Sequence, residues 1–67
     1  MPSVGSGVRE IRIHTQAEHR VMYVAKFVEG IYVLHAFEKR TRKTRQQDLD
    51  VARARLAQVL KERSGNP

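Results

Sequence analysis

The chain has 67 residues, no cysteine and a formal net charge of +6. We expect one domain with a small core, because a chain of this size buries only about 60% of the surface that it exposes when unfolded. The composition excludes disulfides and thiolate metal sites, and the short apolar runs exclude a membrane-spanning helix. Residues 1–6 have neither the basic start nor the apolar core of a secretory signal, so we expect a cytoplasmic protein.

The first half of the chain predicts three β-strands. Residues 1–7 are rich in Gly and Ser and form the expected flexible lead-in. Residues 8–14 alternate apolar and polar side chains with period two, which is typical of a half-buried strand. Residues 20–28 and 31–38 are rich in β-branched and aromatic residues, and Glu29-Gly30 between them suits a tight hairpin.

The second and third predicted strands are apolar on both sides. Strict alternation places four side chains of the second strand on one face: Val21, Tyr23, Ala25 and Phe27. The same alternation groups His35 of the third strand with Ile31, Val33 and Phe37. One helix covers only one face of such a sheet. We therefore expect the other face to be covered by an absent element, a second copy of the chain or another protein.

A basic loop follows the third strand and carries the excess charge. Residues 1–38 hold four basic and four acidic residues, whereas residues 39–67 hold nine basic and three acidic residues. Five of these nine basic residues lie within the seven residues from Lys39 to Arg45. Such a cluster attracts polyanions, most often nucleic acid. An acidic protein partner or a solvated loop with counterions fits the run as well.

The last predicted element is an amphipathic helix. Thr44 and Gln47 have the spacing of a capping box, in which each side chain bonds to the other residue's amide. An apolar stripe at helical spacing follows, formed by Leu49, Ala52, Leu56, Val59 and Leu60. Residues 8–63 are assigned to the domain and residues 64–67 to a flexible tail. The sequence thus predicts an α+β fold, a three-stranded antiparallel sheet followed by a C-terminal helix.

The sequence contains no motif for a metal or a cofactor. A Gly-rich phosphate loop, a zinc-protease motif and an acidic metal cluster are all absent, so we expect neither. His35 lies within the third strand, close to the basic loop. It is interpreted either as a core histidine with one hydrogen bond or as a general acid or base, since histidine titrates near neutral pH.

Basic, aromatic and histidine side chains are sufficient for metal-free RNA cleavage. A base takes the proton from the 2′-hydroxyl, cations stabilise the crowded phosphorane, and an acid protonates the leaving 5′-oxygen. Arg12 and Arg20 project from strands and Lys39 begins the loop, so together they form a groove for a phosphodiester backbone. Tyr23 and Tyr32 serve either packing or proton transfer. This composition permits such chemistry without identifying it.

Three segments of the chain resemble the phage-related RelE/HigB-like toxins of toxin–antitoxin modules. The first is an Arg-x-x-Tyr strand, here Arg20 and Tyr23. The second is a strand with Leu-His-x-Phe-x-Lys, here residues 34–40. The third is a Lys-Thr helix start followed by an acidic residue, an aliphatic one and Ala, here residues 43–52. The resemblance covers roughly residues 8–60, with Arg45 at a position where the family usually has Pro.

The resemblance implies a ribosome-dependent mRNA endonuclease of the microbial-RNase type, neutralised by a cognate antitoxin that often has a helix-turn-helix. It implies catalytic roles for His35, Tyr23, Arg20 and Lys39. For such a protein we expect RNA or ribosome binding by the cations of the basic loop and of β1, namely Arg12, Arg40, Arg42, Lys43 and Arg45. Family members usually have two helices before the first strand and a fourth strand after the last helix, and this sequence has neither segment.

Two other functions fit the same sequence. The first is that of a truncated, inactive homologue that binds nucleic acid or an antitoxin. The second is that of a small interaction domain that forms a homodimer through the uncovered face of its sheet, with the cations serving solubility.

Overall fold

The computed structural model describes residues 3–64 and has the order β1, β2, β3, α1. The strands are Val8–His14, Glu18–Phe27 and Gly30–Glu38, and the helix is Gln46–Ser64. They form one antiparallel sheet in the order β1-β2-β3, followed by the helix. The predicted α+β class and the β-β-β-α order are confirmed.

Two short turns connect the strands. Between β1 and β2, the Thr15 hydroxyl donates to the Ala17 carbonyl at 3.2 Å, and the Thr15 amide donates to the same oxygen at 3.0 Å. Between β2 and β3, Gly30 has a φ of +139°, a conformation that other residues rarely adopt. The predicted hairpin at Glu29-Gly30 is therefore formed, and it brings β2 and β3 into the longest pairing of the sheet.

The helix packs on one face of the sheet, which we call the covered face. The core lies between them and consists of Val4, Val8, Met22, Val24, Leu34, Ala52 and Leu56. We call the opposite side the open face, because no element of residues 3–64 covers it. Its side chains come from all three strands: Arg9, Ile11, Ile13, His19, Val21, Tyr23, Ile31, Val33, Ala36 and Glu38. The predicted uncovered face is thus present in the part of the chain that the structure describes.

A bulge at Leu34 reverses the alternation of β3. Met22 pairs with His35, whereas the next residue, Tyr23, pairs with Val33, so Leu34 is an extra residue. Leu34 and His35 therefore both turn toward the helix. The predicted grouping of His35 with Ile31 and Val33 is wrong for this reason.

A second register shift lies between Val24 and Phe27. It brings Phe27 against the core, and the guanidinium carbon of Arg63 lies 3.7 Å from the centre of its ring. The predicted grouping of Phe27 with Tyr23 is therefore also wrong. Both errors have one cause, since alternation holds only while the pairing register is unbroken.

Residues 3–7, part of the expected flexible lead-in, lie against two elements: residues 3–5 against the helix, and Ser6 and Gly7 beside Lys26 of β2. Val4 is buried in the core, and the Ser3 carbonyl accepts a 2.6 Å hydrogen bond from Arg53. Gly5 lies so close to the side chain of Leu56 that a Cβ at this position would overlap it. Met1 and Pro2, the remainder of the predicted lead-in, lie outside the described residues.

The helix begins later than the capping-box pattern predicts. The carbonyl of Arg45 accepts from the amides of Asp48 and Leu49 at 3.0 and 3.1 Å, so Arg45 rather than Thr44 is the N-cap. Within residues 3–64, no hydrogen bond joins Thr44 to Gln47. This start places Asp48 at the third helical position, facing the sheet.

The apolar stripe of the helix is largely as predicted. Ala52 and Leu56 are buried, and Leu49 and Val59 pack against the core, but Leu60 is exposed. Ser64 is still helical, and its hydroxyl donates to the Leu60 carbonyl at 2.9 Å. The rest of the predicted tail, residues 65–67, lies outside the described residues. Within residues 3–64, no helix is long and apolar enough to cross a bilayer.

Candidate functional site

The candidate site lies on the covered face, where β2 begins, β3 ends and the helix starts. The register aligns Arg12, Arg20 and Phe37 in one row across the three strands. His35 lies one position further along the same face of β3. Four of the sequence-predicted residues are thereby brought to one end of the molecule: Arg12, Arg20, His35 and Lys39.

Arg20 is the most buried charged residue of the site, at 5% exposure. Its guanidinium donates to Glu10 at 2.8 Å and lies 3.4 Å from Glu18. Arg12 lies 3.6 Å from the same Glu10 carboxylate and remains exposed. The two acidic residues neutralise Arg20, while its buried Nε atom has no hydrogen-bond partner. Arg20 is therefore held as a structural ion pair, and of the two arginines only Arg12 is accessible.

His35 is fixed by two neighbours from different elements. Its Nε2 atom lies 2.9 Å from Oδ1 of Asp48. Its ring stacks on Phe37, with centroids 5.1 Å apart and planes inclined by 17°. An ionised carboxylate only accepts hydrogen bonds, so this contact assigns the ring proton to Nε2. In the neutral ring, the other nitrogen, Nδ1, is a hydrogen-bond acceptor, and the side chain is 20% exposed.

Asp48 is the residue that sequence reasoning missed as part of the site. The sequence places Asp48 only within the helix start that resembles the toxin family, as its acidic residue. A signal was present, because Asp48, Ala52 and Leu56 follow one another at intervals of four along the buried side of the helix. A carboxylate at the head of a buried stripe must meet a donor across the interface, and here that donor is His35.

The basic loop runs from the end of β3 to the helix start. The Lys39 amide donates to the Glu18 carbonyl at 2.7 Å, which fixes the start of the loop beside Arg20. Arg40 lies 3.5 Å from Glu38, and Arg45 lies 3.7 Å from Asp48. Three loop cations form no ion pair within residues 3–64: Lys39, Arg42 and Lys43. The loop thus keeps most of its positive charge available to a ligand.

Tyr23 is not brought to the site. It pairs with Arg9 and Val33, whereas its neighbours Met22 and Val24 are fully buried against the helix. Tyr23 therefore points to the open face, on the other side of the sheet from His35. A single catalytic centre that contains both residues is not formed in this structure.

A second charged cluster, the clip, joins the β2–β3 turn to the C-terminal end of the helix. Arg63 donates to both carboxylate oxygens of Glu29, at 2.5 and 3.1 Å, and Tyr32 donates to Glu29 at 2.8 Å. The Arg63 guanidinium lowers the pKa of Glu29 from 4.5 to about 2, with further hydrogen bonds from the Glu29 backbone and from Tyr32. The same contacts raise the pKa of Tyr32 and of Arg63. This cluster is internally neutralised and has no excess charge for a ligand.

Acidic and histidine side chains do not converge on a metal-binding arrangement. Within residues 3–64, no group of three or more His, Asp and Glu residues is placed to hold a metal ion. The site therefore consists of the oriented imidazole of His35, the neutralised Arg20 and a basic loop with three cations that form no ion pair within residues 3–64.

Comparison with known proteins identifies the family. No curated protein and no solved structure matches the chain. The model of the phage-derived Gp49-like proteins (DUF891) matches residues 1–57. This match covers far more than half of the chain, including the three strands, the basic loop and the first part of the helix. The chain therefore belongs to the phage-derived Gp49-like family.

Proposed function

We propose that this protein is a RelE/HigB-like toxin of a toxin–antitoxin module, which binds mRNA on the ribosome in the cytoplasm and cleaves it without a metal. One observation carries the proposal. An imidazole oriented by a carboxylate lies beside a basic loop in which three of the five cations form no ion pair within residues 3–64. Membership of a phage-derived family and the resemblance of residues 20–52 to such toxins agree with this function.

The basic loop supplies RNA binding. Lys39, Arg42 and Lys43 lack acidic partners among residues 3–64, so they are available to phosphate groups. Each phosphate that a cation neutralises releases condensed counterions, which favours binding at low salt. Arg40 pairs with the exposed Glu38 at 3.5 Å and is readily transferred to phosphate. Arg45 is itself exposed and lies 3.7 Å from the largely buried Asp48. Arg12 extends this surface along β1.

His35 supplies the proton transfer. While the Nε2–H group of His35 donates a hydrogen bond to Asp48, Nδ1 of the same ring accepts the proton of an RNA 2′-hydroxyl. The 2′-oxygen then bonds to phosphorus, the bond to the 5′-oxygen breaks, and that oxygen takes a proton from Lys39 or from water. Cations of the loop stabilise the negative charge that develops on the phosphorane. Asp48 keeps the ring in the tautomer that this sequence of steps needs.

A cognate antitoxin is the second partner of the proposal. An acidic segment of such a protein binds the loop cations that RNA otherwise occupies. We therefore expect the antitoxin and RNA to compete for this surface. Co-expression with the gene next to this one should relieve growth inhibition, while the K39A/K43A variant should weaken the complex.

A binding module without turnover is the second candidate function, and two observations favour it. Arg20 is neutralised and buried by Glu10 and Glu18, and Tyr23 faces away from His35. Two of the four predicted catalytic side chains are thus not presented together with the imidazole. Such a module keeps the basic loop and its affinity for RNA but leaves the phosphodiester intact.

Mapping of mRNA ends in a translating extract tests cleavage. We expect new 5′ ends with the parent protein and with H14A, which removes an exposed histidine outside the site. H35A should abolish these ends. Cleavage by H35A equal to that of the parent would contradict the role of His35. Absence of new ends together with tight RNA binding would instead favour the module without turnover.

The salt dependence of RNA binding tests the surface. R42A/K43A removes two loop cations, and R55A/K61A removes two helix cations that also lack ion pairs within residues 3–64. For single-stranded RNA, we expect R42A/K43A to lower the slope of log K against log salt by about 1.4, since each phosphate contact contributes about 0.7. The helix variant should leave the slope near that of the parent. Equal slopes for the two variants would show that the loop is not the RNA surface.

A further inference from the structure

The open face is a continuous apolar surface. Ile11, Val21 and Ala36 form one row across the three strands, and Tyr23 and Val33 form part of the next. Four large side chains on it are 44% to 67% exposed: Ile11, Ile13, Ile31 and Val33. Soluble monomers rarely expose contiguous apolar patches of more than a few hundred Å². An exposed apolar surface of this kind is typical of a protein–protein contact.

Charge is found only toward the ends of this surface. Arg9 lies on β1 near the end at which β2 finishes, and Glu38 lies on β3 at the opposite end of the sheet. These two residues occupy diagonally opposite corners, one basic and one acidic. Two copies can be stacked with their open faces together, about a twofold axis that lies between the sheets and is perpendicular to the line joining the two corners. This arrangement places Arg9 of each copy against Glu38 of the other. The surface is thus complementary to itself in both hydropathy and charge.

We propose that two copies of this chain form a dimer through their open faces, with the two sheets stacked and the helices outside. A domain of this size has a small core and gains stability from a partner. The face has few charges, so it does not match RNA or a strongly acidic protein. In the dimer, the helices stay on the outer sides, while Arg40 lies near the corner contact because it pairs with Glu38 at 3.5 Å. Both candidate sites are on the covered face, so they remain accessible.

Two valine-to-aspartate variants provide a matched test by sedimentation equilibrium, from micromolar to millimolar protein. V33D places a carboxylate on the apolar part of the open face, next to Tyr23, whereas V28D makes the same change at a fully exposed turn residue outside the face. The parent and V28D should dimerise. V33D should raise the dimer dissociation constant about a hundredfold or more, because the twofold axis introduces the change twice.

Two outcomes of this experiment would overturn the proposal. The first is a parent chain that stays monomeric at every concentration, which would mean that the face has another occupant. The second is equal association of V33D and V28D. Circular dichroism verifies that V33D is folded, and V33T, which keeps the shape of valine, replaces it if it is not.

A charge exchange tests the twofold arrangement. R9E brings two acidic side chains together at each corner contact and should weaken the dimer about threefold to tenfold. R9E/E38R has the net charge of the parent and restores opposite signs, so it should recover most of the affinity. A double variant as weak as R9E would overturn this arrangement of the two copies.

Discussion

On the covered face a charged side chain, Arg20, is only 5% exposed, whereas on the open face Ile31 is 67% exposed. Arg20 is buried because Glu10 and Glu18 neutralise it and because it lies in the row next to the core. Ile31 is exposed because no element of residues 3–64 reaches its side of the sheet. The comparison shows that burial in this small fold depends on where the helix lies and on which partners a side chain has, more than on hydropathy.

The largest effect is expected from the core of the covered face. Met22→Ala should lower the free energy of unfolding by roughly 3 kcal/mol, because it leaves a cavity at a fully buried position. Ile31→Ala on the open face removes a side chain that is already in water, and it should change stability by less than about 0.5 kcal/mol. Chemical denaturation of dilute, monomeric protein measures both. Equal effects would mean that the two faces are equally covered.

The next effect concerns the buried charge. Glu10→Ala removes the closest partner of Arg20 and should lower the free energy of unfolding by roughly 2 kcal/mol, since a buried cation is then less well neutralised. Glu62→Ala, at an exposed helix position, should have little effect. If both variants unfold at the same denaturant concentration, Arg20 does not depend on Glu10.

Asp48→Asn changes the residue on the covered face that orients the His35 ring. It should lower stability by about 1 kcal/mol and reduce cleavage at least tenfold, because an amide no longer fixes the tautomer of His35. Asp50→Asn, an exposed change two residues along the helix, is the control. Nitrogen-detected NMR of the imidazole should report the Nε2-protonated form in the parent and a mixture in D48N. An unchanged tautomer with lost cleavage would contradict the positioning role of Asp48.

The smallest effect is expected at the clip. The pKa of Glu29 falls from 4.5 to about 2 on folding, so its ion pair with Arg63 stabilises the protein above pH 4.5. That contribution is lost as the pH falls from 4.5 toward 2. Thermal melting from pH 6 to pH 2 should show this loss in the parent and less of it in Glu29→Gln. Parallel curves for the two proteins would mean that the pair does not contribute.

Sequence reasoning succeeded where one physical signal dominated. The alternation of β1, the glycine of the β2–β3 turn and the periodicity of the helix gave the order and type of all four elements. It failed where the result depended on pairing across strands. His35 and Phe27 were placed on the wrong faces because a bulge and a second register shift leave no clear mark in the sequence of one strand.

The candidate site was only partly predictable for the same reason. The basic loop and His35 follow from local composition, but the burial of Arg20 depends on Glu10, a residue on another strand. The pairing of His35 with Asp48 depends on the bulge at Leu34, which turns His35 toward the helix. Tyr23 was grouped with His35 by resemblance to a family motif, which carries no information about the sides of a sheet.

The bulge at Leu34 determines what a one-residue deletion in β3 would do. Loss of Leu34 itself would leave an unbroken alternation, because Met22 already pairs with His35 and the next residue, Tyr23, with Val33. His35 would stay on the side that faces Asp48, but the core would lose a buried leucine. Among Gp49-like sequences, the histidine–acid pair is therefore compatible with a difference of one residue in strand length at this point.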